Sequence, residues 1–170
     1  MQDAISAFVC LGSNQGVPEQ HLDAARAALV ARGLSVTGAS PVYLTEPQGY
    51  RDQPWFANQV LRLACPYTLS PLALLDILLE EETRLGRVRS PDPALRFGPR
   101  TIDMDLLLFG NTILNTPRLI LPHPRMAERA FVLVPLADLA PDLTMPDGRH
   151  LLDLLAQIRY TVTANRIHQS

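Results

Sequence analysis

An antiparallel α+β sandwich is the fold class that this chain predicts. Three observations carry the prediction. Strand-like and helix-like segments follow one another as βαββαβ, the breaks between them fall on Gly and Pro, and no repeat, low-complexity tract or linker divides the chain. Ala4 to Leu11 reads as the first strand and ends in the turn Gly12-Ser13-Asn14. Pro18 to Arg32 follows as a helix, with Leu22, Ala25, Leu29 and Val30 on one face and Gly33 as its C-terminal cap. Leu34 to Leu44 is a second strand, in which Pro41 argues for an edge or a bulge. A Pro/Gly-rich loop from Thr45 to Pro54 leads into a third strand, Trp55 to Cys65. Ser70 caps and Pro71 opens the second helix; its stripe is Leu72, Leu75, Leu78 and Leu79, and it stops at Gly86. The fourth strand runs from Thr101 to Phe109, followed by the turn Gly110-Asn111 and a short return strand near Thr112 to Asn115. Beyond lie a helix near Phe131 to Leu139, the turn Pro146-Asp147-Gly148 and a last helix near Leu151 to Ile158. The expected architecture is a ferredoxin-like sandwich with a C-terminal extension, in a single domain over residues 1–170.

Composition excludes several classes. The net charge is −2 and the isoelectric point about 6.0, so there is no overall electrostatic footprint for nucleic acid. No apolar run reaches transmembrane length, and the N-terminus has no basic segment followed by an apolar core, so a cytoplasmic protein without a membrane partner is expected; a monomer is the accompanying expectation. Cys10 and Cys65 lie in apolar, strand-like runs without a CxxC pattern, which predicts two buried free thiols.

The chemistry concentrates in the fourth strand. From Thr101 to Phe109 alternation puts Ile102, Met104, Leu106 and Leu108 on one face and Asp103, Asp105, Leu107 and Phe109 on the other. Two carboxylates two residues apart point the same way and repel. A divalent cation would offset that cost; the alternative is a pair of solvated aspartates on the exposed face of an edge strand. Carboxylates without cysteine or HxxxH spacing favour Mg²⁺ or Mn²⁺ over zinc, and Mg²⁺ completes its shell with water and substrate phosphates.

The counter-charges are close by. All fifteen basic residues are arginines, and Arg84, Arg87, Arg89, Arg96 and Arg100 fall in one short stretch. Its loop, GRVRSPDPALRFGPR, carries three prolines and two glycines. Guanidinium forks match phosphate oxygens and stay charged at any working pH. An arginine loop feeding a carboxylate strand is a device for polyphosphate. The absence of lysine excludes a Walker A loop and a protein-kinase strand lysine.

With these pieces placed, the chain resembles the 6-hydroxymethyl-7,8-dihydropterin pyrophosphokinases, folate-pathway enzymes that move a diphosphate from ATP to a pterin alcohol. The resemblance rests on LGSN, YLTEP with a downstream FANQ, ETRLGRVR, FGPRTIDMDLLLFG, LPHPRMAERAF and LAPDLTMPDG, in that order along nearly the whole chain. It implies that Asp103 and Asp105 hold two Mg²⁺ ions on ATP, and that Arg87 and Arg100 stabilise charge at the attacked phosphorus. It further implies ATP contacts from Glu82, Arg89, Leu106, Arg118, His123 and Arg129. Phe56 and Phe131 correspond to two aromatics that sandwich the pterin ring, with Asn58 on its edge and Thr45, Pro47 and Gln48 completing the pocket. Phe56 departs from the family's frequent Tyr or Trp, and Leu79 and Ile120 stand where polar residues are common.

The residues themselves agree. Stacking adds about 0.5–1.5 kcal/mol per aromatic pair beyond burial, which suits a flat heterocycle between two rings. Asn58 inside a strand needs its amide satisfied, and a pterin edge does that. Two other classes share some of these features. A metal-dependent phosphohydrolase or nuclease would use water as nucleophile and need no aromatic pair. A non-catalytic ligand-binding or RNA-binding module would show aromatics in an RNP-like run, which the chain lacks. For the alcohol's proton, a metal-lowered pKa and acceptance by Asp103 both stand open.

Overall fold

The structure, a computed structural model of the chain, describes residues 4–49, 51–88, 91–93 and 98–170. Along these run β1 (Ala4–Ser13), α1 (Pro18–Ala31), β2 (Ser35–Ala39), β3 (Tyr43–Thr45), β4 (Phe56–Pro66), α2 (Pro71–Arg84) and β5 (Asp103–Phe109). Then follow β6 (Leu114–Asn115), β7 (Ile120–Leu121), a 3-10 turn at Met126–Glu128, α3 (Ala130–Leu139), α4 (Leu151–Ala156), β8 (Tyr160–Thr163) and β9 (Arg166–Gln169). Among the described residues one sheet has the order β5-β1-β4-β3-β9-β8, with β2 also pairing β4. All its pairings are antiparallel except β3 with β9. The βαββαβ order is thus the ferredoxin-like one, with β1 and β4 central.

The sheet is buried on both sides. Ala7, Val9 and Leu11 of β1 join Leu22, Ala25 and Leu29 of α1 and Leu74 and Leu78 of α2 in one core. Phe8 and Cys10, pointing the other way, join Val132, Leu133 and Leu136 of α3 and Leu151, Leu154 and Leu155 of α4. Each leucine buried outright contributes roughly 1.5–3 kcal/mol, so both layers are firmly held. Cys10 and Cys65 are free and buried.

Helix ends follow their local chemistry. Ser70 Oγ accepts the Ala73 N–H at 3.1 Å and Pro71 opens α2, as the sequence predicts. At the other end Gly86 adopts φ +99°, the Gly86 N–H reaches the Thr83 carbonyl, and the Arg87 N–H reaches the Glu82 carbonyl at 3.0 Å. This Schellman closure folds the chain back and returns Arg87 to the Glu82 turn.

Five expectations are corrected. Leu34 to Leu44 is two strands, because Ser40 takes Val60 with both its N–H and its hydroxyl and Pro41 has no N–H to continue the ladder. Val30 is exposed, lying 100° round the helix from Leu29. In β5 the alternation slips: Val9 pairs with Leu106 but Phe8 with Leu108, so Leu107 is an extra residue. The bulge moves Leu108 to the aspartate face and Phe109 to the α1–α2 core. The segment after Gly110 pairs with β7 rather than returning along β5. The last helix stops at Ala156, and the chain ends in the hairpin β8–β9.

Candidate functional site

Register places the site. Gly12 of β1 lies opposite both Asp103 of β5 and Asn58 of β4, and Tyr43 and Thr45 of β3 lie opposite Asn58 and Phe56. Strand periodicity turns Thr45, Phe56, Asn58, Gly12, Asp103 and Asp105 to one face. A Cβ on Gly12 would stand 2.8 Å from Asn58 Oδ1, so only glycine leaves that amide its place. Asn58 Nδ2 donates to Thr45 Oγ1, which fixes the amide's orientation.

The face opens as two clefts. The first, of about 380 Å³, is lined by Gly12, Thr45, Glu46, Gln48, Phe56, Asn58 and Phe131 together with Arg87, Arg100, Arg129 and His123. The second, of about 550 Å³, runs along the outer edge of β5 and includes Leu79, Glu82, Leu106, Arg118, Ile120 and His123. Asp103, Asp105, Arg87, His123 and Pro124 line both. Two clefts therefore meet at one pair of carboxylates.

The charges are arranged unevenly. Asp103 Oδ1 accepts from Arg87 Nη1 at 2.6 Å, and Oδ2 accepts from Arg100 Nη1 at 3.0 Å. Glu82, fully buried, accepts the Met104 N–H at 2.6 Å and pairs with Arg87 at 3.2 Å, tying α2 to β5. No hydrogen bond from the described residues reaches Asp105. Burial first, then the charge of Asp103, push its carboxyl up to about 7, although Arg129 pulls the other way. Beneath it, burial and then Asp105 raise the Cys10 thiol well above its ordinary value, leaving it an inert, protonated core residue. Burial, then Arg129, push His123 down to about 4; its Nδ1 accepts the Arg125 N–H at 3.1 Å.

Among the described residues no three His, Cys, Asp or Glu side chains are grouped to hold a metal by themselves. Two adjacent carboxylates, one of them without a hydrogen bond from the described residues, fit a hard cation whose remaining positions go to water and phosphate.

Most sequence-predicted residues come together here. Phe56 and Phe131 line the first cleft, with Arg100 stacked over Phe56 at 5.9 Å and Arg129 over Phe131 at 5.4 Å. Arg129 lines the first cleft and is absent from the second. Arg118 stands at the rim of the second, paired with Asp76. Pro47 is buried and does not line the cleft. Arg89 lies outside the described residues. Gly12 and Glu46 line the first cleft without having been predicted there, and Asn14 holds the site from outside it. Its Oδ1 accepts the Arg100 N–H at 2.8 Å, its own N–H reaches the Arg100 carbonyl, and its Nδ2 donates to Gln53 Oε1 and the Pro54 carbonyl. The LGSN match marked the position but not this role.

The family model for 7,8-dihydro-6-hydroxymethylpterin-pyrophosphokinase matches residues 8–141. A Pseudomonas aeruginosa 2-amino-4-hydroxy-6-hydroxymethyldihydropteridine pyrophosphokinase is 50% identical over 150 residues, covering 88% of this chain and 89% of its own. The Haemophilus influenzae protein of the same name is 40% identical over 154 residues, covering 90% and 92%. The fold matches a solved Plasmodium falciparum HPPK-DHPS with pteroate at a TM-score of 0.66 and 13% identity, covering 99% of this chain. The chain spans about half the length of that solved protein, 48%. At such identity the structural match speaks for the fold, whereas the sequence matches extend over the site strands; the chain belongs to the 7,8-dihydro-6-hydroxymethylpterin-pyrophosphokinase family.

Proposed function

We propose that the first cleft takes the pterin and the second takes ATP, so that the hydroxymethyl oxygen and the β-phosphorus meet at Asp103 and Asp105. The activity is that of a pyrophosphokinase of folate synthesis, a transferase. The observation that carries the division of roles is the shared wall of the two clefts. A phosphohydrolase needs only one cleft and a water.

In the first cleft Phe56 and Phe131 stack on the two ring faces while Asn58, held by Thr45, meets the pterin edge, with Gln48 at the mouth. In the second, β5 is the sheet edge. The Met104 N–H faces outward to Glu82, so by alternation the Leu106 N–H and C=O face the same side, towards a purine edge. Arg118, Arg129 and His123 serve the phosphates, as Arg89 does in the family pattern. Two Mg²⁺ ions would sit at Asp103 and Asp105; when bound they supply positive charge that neutralises the triphosphate. Arg87 and Arg100 move from Asp103 onto the transferring diphosphate. As the new P–O bond forms to the hydroxymethyl oxygen, the bond to the α-phosphate oxygen breaks, the alcohol's proton leaves and AMP departs. The chain is read as a single domain over residues 1–170, which one sheet drawing strands from both halves of the chain supports, and as a cytoplasmic monomer.

The test mixes purified protein with ATP, Mg²⁺ and 6-hydroxymethyl-7,8-dihydropterin and identifies the products. AMP with a pterin diphosphate is the expected result, and ADP or free phosphate overturns it.

A further inference from the structure

The hairpin β8–β9 lies beyond the stretch that the family model matches, yet it touches both walls of the first cleft. On one side β9 pairs with β3, Leu44 with Arg166 and Thr45 with Ile167, and His168 Nδ1 stands 2.9 Å from Glu46 Oε1. Thr45 and Glu46 line the cleft. On the other side the Gln169 amide grips the start of α3. Its Oε1 accepts the Ala130 N–H at 2.8 Å, and its Nε2 donates to the Glu128 carbonyl at 2.7 Å. Arg129 and Phe131, the residues flanking Ala130, project into the cleft. Ile167 is buried between the two walls, clustered with Tyr43 and Ala130.

Local chemistry explains why this contact matters. The first N–H groups of a helix have no partner within the helix, and α3 has no side-chain cap of its own. Gln169 supplies that acceptor from 39 residues away. β3 is only three residues long, and without β9 it would rest on β4 alone.

We propose that the C-terminal hairpin is a strap that sets the spacing between the Thr45–Glu46 wall and the Phe131 wall, with Gln169 and His168 as positioning residues for the pterin. This rests on the assignment of the first cleft to the pterin. The strap touches neither the aspartates nor the second cleft; it holds the turn that carries Phe131 and Arg129, so its effect falls chiefly on the pterin and to a lesser degree on the nucleotide phosphates.

The test compares wild type with Gln169→Leu and Gln169→Glu. Pterin binding is titrated with a non-hydrolysable ATP analogue present, the analogue is titrated alone, and steady-state constants are measured. Loss of both amide hydrogen bonds in Gln169→Leu should raise the pterin Kd and KM about tenfold. Nucleotide affinity should fall much less than pterin affinity, through Arg129 alone, and kcat should stay within about twofold. Gln169→Glu retains an acceptor for the Ala130 N–H and should recover part of the loss. Emission from Trp55, the single tryptophan, whose ring lies 5.1 Å from that of His168, reports that the hairpin is still seated. Unchanged pterin binding in Gln169→Leu overturns the strap, as do equal losses for nucleotide and pterin. A wild-type protein that binds no pterin overturns the cleft assignment itself, and the strap with it.

Discussion

Arg87 and Asp103 stand 2.6 Å apart, guanidinium to carboxylate, and Arg100 holds the other oxygen of the same group at 3.0 Å. One aspartate is thus neutralised twice from the two ends of the arginine segment, while Asp105 beside it accepts no hydrogen bond from the described residues. In the proposed reaction the pair would start from two different states: Asp103 would release its guanidinium partners to serve a cation, whereas Asp105 has no such partner among the described residues to release.

Asp105→Asn should therefore nearly abolish turnover without harming the fold. Removing a half-buried charge that repels Asp103 leaves the melting temperature of the ligand-free protein unchanged or slightly higher. Thermal melts beside a product assay check this. A variant that melts markedly lower yet retains activity makes the carboxylate structural.

Arg100→Ala and Arg87→Ala should each lower kcat by roughly 10²–10³, the cost of removing one donor from developing charge. Binding of a non-hydrolysable ATP analogue should weaken far less. Arg100→Lys should recover little, because an ammonium cannot reproduce the fork. Lost affinity with kcat retained would make both arginines simple binding residues.

Phe56→Ala, Phe131→Ala and Asn58→Ala should each weaken pterin binding by about 1–3 kcal/mol and leave ATP affinity nearly unchanged. Gly12→Ala should act on the same ligand without touching it, since the new Cβ would stand 2.8 Å from Asn58 Oδ1 and displace the amide. Calorimetric titration with each ligand separately distinguishes these outcomes. Equal losses for both ligands would show that the rings belong to the core.

His123 carries a pH signature. Its folded-state pKa, about 4, lies below the ordinary 6.5, so the unfolded chain binds more protons between those values. Its contribution to stability is therefore full above about pH 6.5 and is lost as pH falls towards 4. His123→Gln should flatten that part of the melting-temperature profile of the ligand-free protein. An identical profile in both proteins would show that the ring titrates normally.

The first βαββαβ elements were legible because strand alternation, the Ser70 cap and the Gly86 stop are local signals. So were Asp103 and Asp105, whose cost in an apolar strand is visible in the string itself. The Leu107 bulge was not, since LLLF offers no polar residue to mark which face each side chain takes. The hairpin at the end was missed for a related reason: its strands are largely exposed and lack a continuous apolar face. Its marks are slight: the aromatic and β-branched run Tyr160 to Thr163, and Asn165 in the turn, where Ala164 and Asn165 both take positive φ. Nor does any local pattern show that Asn14 will hold Arg100, since the contact spans 86 residues.

Two clefts that open onto one pair of carboxylates bring both reactants to one junction. Under the proposed direct transfer both occupy the protein together, and reciprocal plots of initial rate at several pterin concentrations should intersect rather than run parallel. A single in-line displacement also has a handedness: a β-phosphorus made chiral by isotopic oxygen emerges with its configuration inverted.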